Sequence, residues 1–510
     1  MVFSTLFSAA LGLAFVPSTL GGVLPICPRD VAAVCSSLNT NFGTSIAQST
    51  EPEYAGLRTE NCVPQSPFLY RPHRSETAWR TPACIFRPSS ASDLQDVVTV
   101  LVGSNTPFAI RSGGHSPDPH AANIDGGVLI DLSLFNTVTY DAINNVAVIG
   151  AGLRWGEVYS QLALHNVTVV GGRVLDVGVG GLLLGSGLSY LSDLYGLACD
   201  NVVNFEVVLA DGSLVNANAV DNPELFWSLK GGGNNFGIVT AFTLTTIADR
   251  QVWGGLKLYD IEYLPDLYTA MLEYQTAAEK DLYANLMLQG FITSSGAAVQ
   301  LNLIYFKDEV APAAFAPFYS IPTTADTTTL SSFTDFLATQ GPAMFPPRVD
   351  WHSSSFEPNA DVYSAIHDIV TSSAELSTIT GVTSGTLAFG VQPITTNLIE
   401  QGILKGGNAL GLSNVNQTWH VIDLGWQSSA DDTTVHTAAK TMKEDIIAAA
   451  VGESVDLDYI FANDASWDQD VFGSYGSVNI ARLKAAQAIY DPTEVFQRLV
   501  PGGFKLPPTV

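Results

Sequence analysis

The stretch that decides the fold is residues 176–212, DVGVGGLLLGSGLSYLSDLYGLACDNVVNFEVVLADG. It opens with closely spaced glycines and ends in an apolar strand that reaches an Asp-Gly turn. Two more glycine-rich loops flank it, RSGGHS at 111–116 and KGGGNNFGIV at 230–239. Backbone amides without side chains approach phosphate groups closely, so the three loops together favour an extended cofactor with a pyrophosphate. Any one loop alone is equally typical of a tight connection between strands.

Strands and single helices surround these loops. A helix is predicted to begin at Ser92, which caps it with Gln95 three residues later. A second helix covers about 155–165, and the segment at 202–217 predicts a hairpin across Asp211-Gly212. Further strands are predicted by PFAIRSGG, GGVLIDLS, TVTYD, VAVIGAG, VTVVGG and FGIVTAFTLTTI. The mixture predicts an α+β fold whose first domain has its main body at about 80–250.

After Arg250 the pattern changes to long strands separated by helical stretches such as 266–279. Partial alternation of apolar and polar residues predicts an antiparallel sheet with helices on one face. The last fifty residues, from about Ile460, contain a predicted helix at 479–490. The strand segments of this region are VWGGLKLYD, ANLMLQGFIT, AVQLNLIYF and WHVIDLGWQ.

Charge and motifs exclude several classes of protein. The chain has 22 basic and 49 acidic residues and a net charge of −27, so nucleic acids and anionic membrane surfaces would repel it. No ordered βαβ unit surrounds GVGGLLLGSG, and GGGNNFG lacks the Lys-Ser/Thr of a P-loop. No G-x-S-x-G elbow occurs, and the eight histidines are scattered. We therefore expect neither a Rossmann site, an NTPase, a serine hydrolase nor a metal site built on a pair of histidines.

The N-terminal region is typical of a secreted protein. TLFSAALGLAFV at 5–16 is an apolar run too short to span a bilayer and indicates a signal peptide. Two disulfides are expected among four clustered cysteines, with zinc as the alternative reading, and the distant Cys199 is expected to be a buried free thiol. Asn166 and Asn416 are possible glycosylation acceptors, so we expect a secreted or lumenal location. The clustered cysteines are Cys27, Cys35, Cys62 and Cys84.

The ordered motifs resemble one family, the berberine bridge enzyme-like FAD-linked oxidases of the vanillyl-alcohol oxidase superfamily, which have a PCMH-type FAD-binding domain. The resemblance rests on RSGGHS, the stretch at 176–212, ELFWSLKGGGNNFGIVT and the ending YGSVNIARLKAAQAIYDPTEVF. It implies a two-domain α+β fold with an antiparallel-sheet substrate domain. The implied organisation is a signal peptide at 1–22, an FAD-binding domain at 23–250, a substrate domain at 251–459 and a C-terminal segment at 460–510 that returns to the FAD domain.

The resemblance also implies which residues bind FAD. His115 would carry the flavin through a covalent bond to its 8α-methyl group, since a neutral imidazole is a competent nucleophile. Some relatives add a cysteinyl link, but Val174 occupies that position here, so we expect a single link. Tyr475 and Asn479 would help close the flavin site, and Ile238 would lie near the adenine. The pyrophosphate would contact Arg111, Ser112, Gly113, Gly114 and Ser116 in the first loop and Gly178, Gly180 and Gly181 in the second.

The catalytic base departs from the family pattern. An Asn-Tyr pair often precedes the C-terminal Tyr-Gly, but here the pair is Asn463-Asp464. Asp464 is therefore the candidate base, because a buried carboxylate with a raised pKa can take a proton. A turn-capping or surface role for Asp464 is an equal alternative. Weaker candidates for the substrate wall are His420, Asp423 and Trp426, although strand alternation turns His420 away from Asp423.

The resemblance implies an FAD-dependent oxidase of a small organic substrate, such as an alcohol or an intermediate of secondary metabolism. Hydride would pass to flavin N5, and O2 would reoxidise the flavin with release of H2O2. A carbohydrate oxidase is the alternative within the enzyme class. The alternative of another class is a flavin-binding scaffold with little redox turnover, which the missing tyrosine makes conceivable.

Overall fold

A computed structural model describes residues 30–59, 75–340 and 346–508. The predicted signal peptide at 1–22 and the cysteines Cys27 and Cys62 lie outside these ranges. The described residues form three β-sheets with helices packed against them, so the predicted α+β class is confirmed. Within the described ranges, no helix combines the length and the apolar character needed to cross a membrane.

The first sheet has four strands in the order β1-β2-β4-β3. Strand β4 pairs in parallel with both β2 and β3, and the edge strand β1 pairs antiparallel with β2. The strands are β1 (Ile46–Gln48), β2 (Cys84–Phe86), β3 (Phe108–Arg111) and β4 (Val128–Asp131).

The second sheet is antiparallel and has six strands, with β10 at its centre. The predicted hairpin across Asp211-Gly212 is present as β8 and β9. The strands are β5 (Val138–Asp141), β6 (Val146–Gly150), β7 (Val167–Val169), β8 (Val202–Val208), β9 (Leu214–Asn218) and β10 (Ile238–Ala248).

The third sheet is antiparallel and has nine strands in the order β14-β11-β13-β12-β17-β18-β16-β19, with β15 beside β11. Two of its central strands, β16 and β17, were not predicted from the sequence. The strands are β11 (Gln251–Asp260), β12 (Ala284–Thr293), β13 (Gly296–Tyr305), β14 (Ala325–Asp326), β15 (Thr329–Ser332), β16 (Arg348–Phe356), β17 (Thr386–Ile394), β18 (Gln417–Trp426) and β19 (Asp456–Leu457).

Sixteen α-helices connect and cover these strands in the described ranges. They are α1 (Val31–Phe42), α2 (Pro52–Thr59), α3 (Ala91–Gly103), α4 (Trp155–Ala163), α5 (Val179–Gly185), α6 (Ser192–Tyr195), α7 (Pro223–Leu229), α8 (Leu264–Gln275), α9 (Ala316–Tyr319), α10 (Phe333–Thr339), α11 (Ala360–Ser372), α12 (Ala374–Gly381), α13 (Thr396–Leu404), α14 (Asp432–Gly452), α15 (Ser477–Tyr490) and α16 (Val495–Arg498).

Helix α3 begins two residues earlier than the sequence pattern predicts. Ser90, not Ser92, caps it: the Ser90 hydroxyl accepts a hydrogen bond from the Asp93 amide at 3.2 Å. The Asp93 carboxylate accepts one from the Ser90 amide at 3.1 Å, which completes a capping box. Ser92 therefore lies in the first turn. The predicted apolar face is buried, and it consists of Leu94, Val97, Val98 and Leu101.

Two large hydrophobic cores and one small cluster on the other face of the first sheet organise the described part of the chain. One large core lies around the first two sheets and includes the C-terminal residues Leu483, Phe496 and Leu506. The other lies between the third sheet and helices α8, α11 and α14, which cover one face of that sheet. Alternation along the strands leaves the opposite face of the third sheet directed away from these helices.

Cysteine pairing is confirmed in part. Cys35 on α1 and Cys84 on β2 form a disulfide, which ties the N-terminal helix to the first sheet. Cys199 is a buried free thiol, as expected, and burial raises its pKa well above the usual value.

Candidate functional site

A cavity of about 600 Å³ lies between the glycine loops of the first domain and the open face of the third sheet. Its size is within the range of sites that enclose cofactors and drug-sized ligands. The loop at 112–116 lines one part, and segments 461–464 and 471–475 line another. The cavity therefore joins parts of the chain that are several hundred residues apart in sequence.

Two of the glycine loops are in direct backbone contact. A Cβ atom on Gly178 would lie 2.5 Å from the Cα of Gly113, so any side chain at this position would push the loops apart. The Ser112 hydroxyl donates to the Ala151 carbonyl at 2.6 Å and accepts from the Gly180 amide at 3.1 Å. The loops therefore form one continuous surface of the cavity.

The cavity side of this surface has room for a ligand. A Cβ atom on Gly181 would meet no protein atom within 4 Å, although Gly181 lines the cavity. Ser116 lines the same region, and its hydroxyl accepts from the Asp118 amide at 3.2 Å. Main-chain surfaces without side chains suit a pyrophosphate. With the size of the cavity, the residues present therefore fit FAD.

His115 and Val174 both line the cavity. The His115 ring is half-buried, and its centre lies 6.0 Å from that of Trp351 on β16, which also lines the cavity. His115 is thus positioned between the first glycine loop and the third sheet. The side chain of Val174 is apolar and offers no nucleophile.

Arg111 is not placed as expected. On β3 its neighbours Ile110 and Ser112 line the cavity, so strand alternation directs the Arg111 side chain to the other face. There it is fully buried and forms an ion pair with Asp131 at 2.6 Å. Burial raises the pKa of Asp131, but the Arg111 guanidinium outweighs this effect and holds the pKa below its usual value. The side chain is part of the protein interior and does not line the cavity.

The C-terminal segment contributes one of its two expected residues. Tyr475 lines the cavity, and its hydroxyl donates to the Gly231 carbonyl in the third glycine loop at 3.1 Å. Burial raises the pKa of Tyr475. Asn479 does not line the cavity, because its amide group donates to the Ala409 carbonyl at 3.1 Å and is held behind the wall. Ile238, at the start of β10, lines the cavity.

Asn463 and Asp464 both line the cavity, but they have different partners. The side chain of Asn463 accepts from the Gly187 amide at 3.1 Å and donates to the Gly181 carbonyl at 3.2 Å, so it holds the second glycine loop in place. Asp464 accepts a hydrogen bond from the Gln392 side chain at 3.0 Å. The carboxylate is therefore oriented within the cavity by a residue of the third sheet.

Arg173 and Tyr190 also belong to this part of the cavity, and the sequence pattern did not single them out. Arg173 donates to the Gln392 side-chain oxygen, so a continuous chain of hydrogen bonds links Arg173, Gln392 and Asp464. Burial raises the pKa of Tyr190 to about 12, so its hydroxyl is protonated at neutral pH. The sequence feature that could have identified Arg173 is its position next to Val174, in GGRV.

The third sheet supplies the opposite wall. Asp423 and Val421 on β18 line the cavity, whereas His420 and Trp426 do not. Burial lowers the pKa of His420 to about 3, and the Trp426 indole donates to Asp432 at 2.7 Å on the helix side. The rest of this wall combines the apolar side chains of Met287, Phe291 and Trp351 with five neutral amides, which are Gln289, Gln300, Asn302 and Gln392 on the sheet and Gln340 at the end of α10.

Comparison with sequence families and curated proteins shows that this chain is similar to FAD-dependent enzymes. A family model described as an FAD binding domain matches residues 82–218, which contain the first two glycine loops. The FAD-dependent monooxygenase tpcD of Cochliobolus heterostrophus is 37% identical over 446 residues, which cover 83% of this chain and 85% of the relative. The bifunctional solanapyrone synthase of Alternaria solani is 34% identical over 459 residues, which cover 89% of this chain and 88% of the relative.

Solved structures share the fold at lower sequence identity. A variant of berberine bridge enzyme in complex with (S)-reticuline superimposes with a TM-score of 0.73 at 17% identity, over 94% of this chain and 99% of that one. The carbohydrate oxidase of Microdochium nivale has a TM-score of 0.73 at 19% identity, over 91% of this chain and 98% of that one.

Proposed function

Since the chain belongs to the berberine bridge enzyme-like family of FAD-dependent oxidoreductases, we propose that it oxidises a small organic alcohol or a related secondary-metabolite intermediate. The observation that carries this proposal is the shared cavity. One side consists of the glycine loops and His115, and the other presents Asp464, Gln392 and Arg173. A cofactor side and a polar substrate side therefore meet in one enclosed space.

The glycine loops at 112–116 and 178–181 would hold the FAD pyrophosphate, and Ile238 would lie at the adenine end. When bound, FAD supplies a hydride acceptor at N5 and, after reduction, electrons for O2 with formation of H2O2. Tyr475 fixes the third loop through Gly231, and Asn463 fixes the second through Gly181. These two side chains keep the loops at a constant spacing.

His115 would provide the covalent attachment, through a histidyl bond to the flavin 8α-methyl group. Its imidazole lies at the cavity wall beside Trp351, which restricts the orientation of the ring. A neutral ring nitrogen can act as the nucleophile. Because Val174 has no nucleophilic group, His115 would be the single link.

Asp464 would take the proton that an alcohol loses when its carbon gives up hydride. The carboxylate lies in the cavity, and the Gln392 amide holds one of its oxygens. An acceptor of this kind contributes typically 10²- to 10⁴-fold to a rate. Asp423, which reaches the cavity from β18, is the second carboxylate within the same space.

The composition of the wall supports a neutral substrate that carries several oxygen atoms. Amide side chains donate and accept hydrogen bonds, and Asn302 is itself held by Gln289 at 3.1 Å. Arg173 adds one cationic group, which suits a carbonyl or enolic oxygen. A sugar would also match the amides, so a carbohydrate oxidase remains the alternative within the enzyme class.

The first experiment is anaerobic addition of candidate alcohols to the purified protein. Loss of the visible flavin absorbance, followed by recovery and H2O2 release on admission of O2, is expected for an oxidase. The relative tpcD is named a monooxygenase, so the same reaction in ¹⁸O2 is the matching control. Label in the product would replace the oxidase assignment with oxygen insertion.

The second experiment tests the covalent link. After acid precipitation, the flavin of the unaltered protein is expected to stay with the pellet, and that of His115→Ala is expected to appear in the supernatant. Release of all flavin from the unaltered protein would refute the histidyl attachment without affecting the assignment of the reaction.

A secretory location is proposed as well. The Cys35–Cys84 disulfide is typical of oxidising compartments, and the side chain of Asn166 is exposed in its N-V-T triplet. Asn416 is exposed too, but its amide group donates to the Gln275 carbonyl at 3.3 Å. A mass decrease on treatment with an N-glycosidase, lost in Asn166→Gln, would support export.

A further inference from the structure

Three side chains that the proposed reaction does not use meet on the helix side of the third sheet. Asp350 and His352 lie on β16 on either side of Trp351, and His436 lies on α14. One nitrogen or carboxylate oxygen from each of the three lies within 4.8 Å of the others. Asp350 Oδ2 is 3.3 Å from His352 Nε2 and 2.5 Å from His436 Nδ1.

The buried histidine of this cluster lacks a hydrogen bond of good geometry to the described residues. The His352 side chain is 0% exposed, and among the described residues neither of its ring nitrogens has a hydrogen-bond partner of acceptable geometry. The closest polar contact of the ring is that between His352 Nε2 and Asp350 Oδ2, at 3.3 Å. A buried imidazole in this state requires an explanation, because it loses hydration without a compensating bond.

In His436 and Asp350, the side-chain atoms that would not bind the ion have hydrogen-bond or ion-pair partners, as metal ligands usually do. His436 Nε2 lies 3.4 Å from Asp468 Oδ2, and Lys440 donates to the same Asp468 oxygen at 3.0 Å. The second oxygen of Asp350 accepts from the Ser466 hydroxyl at 2.9 Å. Histidine ligands typically donate their other ring N–H to a carboxylate, which fixes the ring orientation and raises the basicity of the ligating nitrogen.

We propose that Asp350, His352 and His436 form a binding site for a divalent first-row transition metal ion such as Zn²⁺. Two imidazoles and one carboxylate are a ligand set that these ions accept, and the remaining positions would be filled by water. The separation of 3.3 Å between Asp350 Oδ2 and His352 Nε2 suits two ligands of one ion, since metal–ligand bonds of about 2.0–2.2 Å place neighbouring ligands about 3 Å apart.

The short contact between Asp350 and His436 describes the metal-free form. His436 Nδ1 and Asp350 Oδ2 form a hydrogen bond of 2.5 Å, and a metal ion bound to both atoms would replace the proton between them. The alternative occupant of the cluster is therefore protons alone, in a network of hydrogen bonds and ion pairs. The two cases differ in whether a metal ion binds with a stoichiometry of one.

The ion would reach the site from the α14 side. His436 is 19% exposed and Asp468 is 17% exposed, whereas His352 is enclosed beneath them. His352 and His436 are 84 positions apart in sequence. The sequence therefore contains no metal-binding motif at these residues, although the fold brings them together. Because Trp351 lies between two ligands and against His115, the ion would also fix this part of the cavity wall.

The test uses the complete protein with any histidine tag removed. After dialysis against EDTA, one equivalent of ZnCl₂ is added, unbound ion is removed by gel filtration, and retained Zn is measured by mass spectrometry. The unaltered protein is expected to retain about one Zn per chain and to melt at a higher temperature with Zn²⁺ than with EDTA. His436→Asn keeps an amide donor for Asp350 but removes the imidazole, and it is expected to retain almost none.

Two further variants make the result specific. Asp468→Asn should bind Zn about 10- to 100-fold more weakly, because it removes the partner of His436 and leaves all three ligands intact. His367→Asn is the matched control, since His367 forms a similar pair with Asp368 at 3.1 Å on α11, outside the cluster. It should bind as the unaltered protein does.

The proposal is overturned if the unaltered protein retains no Zn and shows no shift in melting temperature. It is equally overturned if His436→Asn binds Zn as well as the unaltered protein, or if His367→Asn loses binding to the same extent, since the ion then occupies surface groups. If His436→Asn fails to fold, the affinity of Asp468→Asn decides: unchanged binding rejects the site, and weakened binding supports it.

Discussion

Replacement of Arg111 by methionine tests the structural role of a residue whose sequence context predicted cofactor contact. The guanidinium lies 2.6 Å from Asp131, and neither side chain is more than 4% exposed. With an effective dielectric constant of about 20, unit charges at this distance attract by about 6 kcal/mol. Part of this offsets the cost of burial, and removal of one partner from such pairs destabilises proteins by about 3–5 kcal/mol. We expect Arg111→Met to lower the free energy of unfolding by about 3–5 kcal/mol.

The pH dependence identifies the cause. In the unaltered protein, the pKa of Asp131 is lowered, so the pair stabilises the fold above the usual pKa of the carboxyl and this stabilisation is lost as the pH falls. In Arg111→Met, burial without the cation raises the pKa of Asp131. The variant should therefore regain part of its stability between about pH 7.5 and pH 5, where the buried carboxylate can take a proton.

Denaturant melts at both pH values, with flavin content measured on the same samples, are the assay. The control is Arg111→Met/Asp131→Asn, which removes the buried charge and should recover most of the stability. If the double variant is stable but fails to incorporate FAD, Arg111 acts on the cofactor and the structural reasoning is refuted. If the single variant loses less than about 1 kcal/mol, the ion pair does not have the assigned role.

Three other outcomes are expected from the cavity. Asp464→Asn should lower kcat by about 10²- to 10⁴-fold with little change in melting temperature, and an equal or larger loss in Asp423→Asn would transfer the proton-acceptor role to that residue. Val174→Cys should introduce a second covalent attachment, so that the double variant Val174→Cys/His115→Ala still retains its flavin on acid extraction. Complete extraction of flavin from the double variant would show that the thiol does not reach the flavin. Gly178→Ala should lower the melting temperature, because its Cβ would lie 2.5 Å from Gly113 Cα. Gly181→Ala should fold normally and incorporate less FAD. Equal stability of the two variants would contradict the assigned loop packing.

Sequence patterns predicted the parts of the fold that depend on local signals. The hairpin at Asp211-Gly212, the apolar face of α3 and the long strands of the third sheet all have a clear period or turn signal. Strand β17 was missed because Gly390 and Pro393 interrupt its pattern, although the tertiary pairing with β12 and β18 tolerates both. Strand β16 was missed because His352 and three consecutive serines replace an apolar alternation.

The candidate site was predictable where motifs are continuous in sequence. The loops at 112–116 and 178–181 line the cavity, and the motif alone suggested them. Motif membership did not predict the orientation of Arg111, because direction along β3 depends on strand alternation. Arg173, Gln392 and Tyr190 were missed for a different reason: their roles arise from contacts between positions 72 to 219 residues apart, which no local pattern contains.

The position of Tyr475 has a consequence for how the protein is made. The cavity wall also includes Gly503 and Phe504, so the wall is complete only after these residues have been translated. A nascent chain that still holds this segment in the ribosomal tunnel has glycine loops without their C-terminal partner. The flavin can therefore be enclosed only after these residues have left the tunnel, and a transcript that ends before residue 475 would encode a chain unable to enclose its cofactor.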